Sequence, residues 1–86
     1  MIITGRHIAA ARELLKITRA DLARMAEVGI SSVYRFEEGL QAPRKATVNA
    51  IRIALEQRGI EFINGEGIGV RLNFAKAAEA ARAGIK

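Results

Sequence analysis

The chain has 86 residues, with 14 Lys and Arg against 9 Asp and Glu, no cysteine, and a formal net charge of +5. That length holds one small domain, and with only Tyr34, Phe36, Phe62 and Phe74 as aromatics its core must be filled mostly by Ala, Ile, Leu and Val. Lack of cysteine excludes disulfides and thiolate metal sites, and a lone histidine, His7, excludes a multi-histidine one.

The basic balance favours a polyanionic partner, most simply nucleic acid or an anionic membrane surface. No apolar run approaches the roughly 20 residues of a membrane span, and the first residues lack a signal-peptide pattern. A cytoplasmic protein is expected, with no membrane partner.

Thr4 is the N-cap expected for a first helix running to about Leu15, with Ile8, Ala11 and Leu15 on one face. His7, within its first turn, is read as a surface or rim residue. Thr18 caps a second helix, with Asp21 three residues on as a short relative of the capping box. That helix ends near Ala26 or Glu27. A third begins around Gly29 or Ile30 and stops at Gly39, a residue suited to a helix C-terminus. "LQAPRKA" is a loop around Pro43. A fourth helix spans about Ala46 to Gln57, with Val48, Ile51 and Leu55 inward and Gly59 ending it.

The period then changes. Ile60–Ile63 and Ile68–Leu72 read as short strands around Asn64-Gly65, a hairpin dipeptide. "GEGIG" lacks the spacing of a dinucleotide loop and reads as a turn. Residues 74–86 read as a helical or frayed tail capped by Asn73.

Two short helices joined by a tight turn form a helix-turn-helix, whose second helix lies in the DNA major groove. At 100° per residue, Val33, Phe36 and Glu37 share one side of the third helix. Ser31, Arg35 and Glu38 lie opposite, with Tyr34 alongside. The outward hydroxyl, phenol and guanidinium groups can reach base edges and phosphates.

Residues 12–44, "RELLKITRADLARMAEVGISSVYRFEEGLQAPR", resemble the Cro/repressor-type (XRE family) helix-turn-helix. The resemblance rests on Arg12, Thr18-Arg19, Leu22-Ala23, the run Val33 to Gly39, and Pro43-Arg44, and it extends over residues 4 to about 58. It implies a mostly α, four-helix, lambda-repressor-like domain over residues 1–58. Residues 59–73 would add a hairpin or strand and residues 74–86 a final helical or frayed segment. It also implies an ion pair between Arg12 and Glu37 that ties the first helix to the third.

The sequence departs from the family at four positions. Glu27 stands where the turn usually has Gly, and a left-handed Glu costs roughly 1 kcal/mol. Gly29 stands at the cap of the third helix. Arg19 replaces the usual Gln and would meet phosphate as a charge. Ile30 replaces a polar reader and can touch a thymine methyl instead.

DNA contact is therefore expected from Arg19, Ile30, Ser31, Ser32, Tyr34, Arg35, Arg44 and Lys45. For Tyr34, partial packing on the first helix is an equal reading.

The resemblance implies a DNA-binding transcription regulator, expected to be a repressor. The alternative is an antitoxin that holds a toxin protein through its C-terminal segment. Catalytic signatures are missing, so neither an enzyme nor a cofactor is expected. A homodimer on a palindromic operator is expected, because two isolated strands are marginal in water and invite pairing. Its interface would draw on Ile53, Ile60, Phe62, Ile63, Val70 and Leu72.

Overall fold

A computed structural model describes residues 2–84; residues 85 and 86 of the expected tail lie outside the described residues. The elements are α1 (Gly5–Leu15), α2 (Arg19–Ala26), α3 (Ile30–Glu38), α4 (Lys45–Glu56), β1 (Ile60–Ile63), β2 (Gly69–Leu72) and α5 (Phe74–Arg82). This is the mostly helical architecture that the periodicity predicts.

The first two helices are started by local chemistry. Thr4 and His7 form a reciprocal capping box on α1, and Thr18 and Asp21 form one on α2. In the latter, the Asp21 amide donates to Thr18 Oγ1 at 3.0 Å and the Thr18 amide donates to Asp21 Oδ2 at 2.9 Å. Both helices end on a left-handed residue that is not glycine: Lys16 at φ 55° and Glu27 at φ 56°. Each costs roughly 1 kcal/mol, so surrounding packing must hold them there. Gly39 ends α3 in the same conformation at φ 68° without that cost.

Ile8 and Ala11 of α1, Leu22 and Ala23 of α2, Val33 and Phe36 of α3, and Ile51 and Leu55 of α4 make one core. At Gly5, α1 approaches α3 so closely that a Cβ would stand 2.2 Å from the Phe36 carbonyl oxygen. Only glycine fits there, and the approach brings α1 against the C-terminal turn of α3.

The hairpin pairs Ile60 with Leu72, Glu61 with Arg71, Phe62 with Val70 and Ile63 with Gly69. Ile60, Phe62, Val70 and Leu72 pack on the protein's own core, and β2 lies along α1. The opposite face carries Glu61, which accepts from Arg71 Nε at 2.7 Å and pairs with Lys76 Nζ of α5 at 2.8 Å.

These positions correct the expected interface. Ile60 is buried inside the chain and is not available to a partner, and Phe62, Val70 and Leu72 are half-buried against the same core. Ile53 and Ile63 remain exposed. The alternation of apolar residues marks the face that needs cover, and the cover here is α1.

His7 is a second correction, being 1% exposed. Its Nδ1 accepts from the Thr4 amide at 3.0 Å, so Nε2 carries the proton and donates to the Ile63 carbonyl at 3.3 Å. The ring also meets Phe62 edge-on, with centroids 5.9 Å apart. His7 thus closes the capping box and fastens the end of β1 to α1.

Candidate nucleic-acid interface

α2, the turn at Glu27–Gly29 and α3 form a helix-turn-helix. Val33 and Phe36 turn inward, while Ile30, Ser31, Tyr34 and Arg35 are exposed and Ser32 is half-buried. The helical wheel therefore predicts the outward face correctly.

A charge network fixes the back of α3. Arg12 donates from Nε to Glu37 Oε2 at 2.5 Å and from Nη2 to Oε1 at 2.8 Å. Arg19 Nε also donates to Glu37 Oε1, at 2.9 Å, and Arg19 Nη2 donates to Glu38 Oε2 at 2.6 Å. The Glu37 side chain is 1% exposed. Burial pushes its carboxyl upward, but hydrogen bonds from Arg12 and Arg19 outweigh this and hold it below the ordinary carboxylate range. Arg12 and Glu37 thus meet as the resemblance implies, with Arg19 as a third member.

Arg19 is therefore not a free phosphate reader. Its bonds to Glu38 first, then Glu37, raise it above the ordinary arginine value. Its guanidinium also stacks 4.9 Å from the Tyr34 ring centroid. This contact answers the open question about Tyr34: its ring packs on α2 through Arg19 and still keeps an exposed side.

Across α3 lies a cleft of about 360 Å³ lined by Ser32, Arg35, Gln41, Pro43, Arg44 and Thr47, among others. Arg44 is the N-cap of α4, and no side chain caps that helix. Its first amides are left without a side-chain acceptor at the positive end of the helix dipole, beside the cleft that Arg44 and Thr47 line. Among the described residues, no carboxylate pairs with Arg35, Arg44 or Lys45. Two arginines, a hydroxyl-bearing wall and an uncapped helix start make a site suited to phosphate oxygens.

Gln41 and Thr47 escaped the sequence reading. The available signal was Gly39: a left-handed helix end turns the following residues back beside α3.

A family model described as helix-turn-helix matches residues 8–61, more than half of the chain. No curated protein matches it.

Proposed function

Since this chain belongs to the Cro/repressor-type helix-turn-helix family of DNA-binding transcription regulators, we propose that it binds a specific operator sequence as a repressor. α3 lies in the major groove with Ile30, Ser31, Tyr34 and Arg35 toward the bases. Arg44, Lys45 and the start of α4 hold the flanking phosphates. Ser32 lines the junction of the two surfaces. One observation carries the reading: Arg35 and Arg44 line one cleft beside the outward face of α3, and neither has a carboxylate partner among the described residues. Unpaired cations around one cleft are what counterion release from DNA uses.

The protein acts as a homodimer on a palindrome. The exposed Ile53 of α4, Ile63 and the unpaired edges of a two-stranded sheet support that assembly. No described helix is long and apolar enough to cross a membrane.

Selection of bound duplexes from a random pool tests the reading. The expected product is one enriched sequence with two inverted half-sites about one helical turn apart. A pool that stays random would overturn the function, and an enriched sequence without inverted symmetry would overturn the dimer alone. Ile53→Glu and Ile63→Glu, both at exposed positions, should shift the sedimenting species to monomer without unfolding it.

A further inference from the structure

The outward surface along α3 and just past its end carries apolar groups where a base-reading face is usually polar. Ile30, its first residue, is 52% exposed; Tyr34, one turn on, is 46% exposed; Leu40, just past the helix end, is 64% exposed. With Ser31, Arg35 and Gln41, these three line one shallow groove of about 470 Å³. Arg35 and Gln41 are also walls of the phosphate cleft, so the two surfaces are continuous.

Water-exposed isoleucine and leucine side chains make no hydrogen bonds to base edges. The one apolar group that a base pair offers in the major groove is the C5-methyl of thymine. We propose that Ile30, Tyr34 and Leu40 form a methyl-reading surface, so that the operator is recognised in part through pyrimidine C5-methyl groups. This rests on the DNA-binding reading above. Arg35 in the groove and Arg44 in the adjoining cleft favour DNA over a protein as its occupant, because phosphates that meet these cations release condensed counterions.

Two features make the surface specific. Arg19 stacks 4.9 Å from Tyr34 and fixes the ring against α2, so one wall is rigid before DNA arrives. Ile30 and Tyr34 are four residues apart, about 6 Å along the helix at 1.5 Å per residue. That distance approaches two base-pair rises of about 3.4 Å. The methyls met by Ile30 and by Tyr34 are therefore expected about two base pairs apart within each half-site.

The test uses the full chain and the sequence selected from the random pool. Thymines of the half-site are replaced one at a time by deoxyuridine, which removes only the methyl. At contacted positions affinity should fall about fourfold, the value of one buried methylene at about 0.8 kcal/mol. Restoring the methyl on cytosine, as a 5-methylcytosine–guanine pair in place of that thymine–adenine pair, should bind more tightly than its unmethylated counterpart. In Ile30→Ala protein the deoxyuridine penalty should vanish at one position and persist elsewhere, and in Leu40→Ala protein it should vanish at a different position. Thermal melting of both variants controls for folding, since both side chains are exposed.

Equal binding of thymine and deoxyuridine duplexes, or a selected half-site without thymine, would overturn the proposal while leaving DNA binding intact. Unchanged DNA affinity with altered sedimentation in Ile30→Ala or Leu40→Ala would assign the patch to a protein partner instead. A pool with no enriched sequence would bring down both this inference and the function beneath it.

Discussion

Two charged regions flank helix α3, one closed on itself and one open to solvent. Toward its C-terminus Glu37 and Glu38 are met by Arg12 and Arg19, so that region is internally neutral and welds α1, α2 and α3 together. Toward the cleft with α4, Arg35 and Arg44 have no carboxylate among the described residues. Arginine serves in both regions. Around α3, the arginines that tie helices together receive a counter-ion from the fold, and those that line the cleft do not.

The largest effect is expected where the charge is most buried. Glu37→Ala strands Arg12, whose side chain is 20% exposed, and leaves Arg19, 28% exposed, with Glu38 alone. Loss of one member of a buried pair costs roughly 3–5 kcal/mol, and the partial exposure of both arginines places this case at about 2–3 kcal/mol. Denaturant unfolding at neutral pH measures it. Because the Glu37 carboxyl lies below its ordinary value in the fold, its stabilisation is present above about pH 4.5 and is lost as pH falls through the folded value. The gap between wild type and Glu37→Ala should therefore close on acidification. A gap that stays constant from pH 7 to pH 3 would place the effect in packing rather than charge.

Glu61 sharpens the comparison from a third region. Lys76, Arg71 and Asn73 surround its carboxyl and lower it to about 2. Its contribution is likewise present above about pH 4.5 and lost toward pH 2, but it fastens α5 to the hairpin rather than α3 to α1. Protection of the α5 amides from exchange should therefore fall as pH drops toward 2. Glu61→Gln should remove that pH dependence.

In the cleft, the next effect is on binding rather than folding. Arg35→Ala should leave unfolding unchanged and cost about 1–3 kcal/mol of sequence-specific affinity if the side chain reads a base. Arg44→Ala should weaken matched and scrambled duplexes alike and lower the salt slope by about one. Titrations of both variants at several salt concentrations separate these roles.

The difference between the regions was partly legible in the sequence. The caps at Thr4 and Thr18 are written in local spacing, and so are the outward face of α3 and the turn at Glu27. Arg12 and Glu37 were legible through the resemblance. His7 was not, because its polarity argues for the surface while its acceptor, the Ile63 carbonyl, lies 56 residues away. A Thr followed three residues later by His was the readable half of that arrangement. Gly5 gave no local signal, since the contact that requires it is with α3. The hairpin's apolar face was legible, but what covers it was not: alternation identifies a face and cannot choose between α1 and a second chain. The pairing of Arg19 was hidden for the same reason, because its choice between phosphate and carboxylate is set by where Glu38 falls in space.

The smallest effect tests that choice directly. Glu38 is half-exposed and holds Arg19 from the solvent side, whereas Glu37 holds it from within. In Glu38→Gln the inner bond to Glu37 and the stacking on Tyr34 remain, so Arg19 keeps its place while losing its outer counter-ion. The variant should fold with stability within about 1 kcal/mol of wild type, the range of exposed ion pairs. Arg19 borders the recognition face through Tyr34, so a phosphate can then take the place of the Glu38 carboxylate. Affinity should rise on matched and scrambled duplexes alike, and the salt slope should steepen by at most about one phosphate. Arg19→Gln in the same background should abolish both changes. If Glu38→Gln leaves the slope where it was, Arg19 stays inside the structural network when DNA binds, and the boundary between the two regions runs between Tyr34 and Arg35.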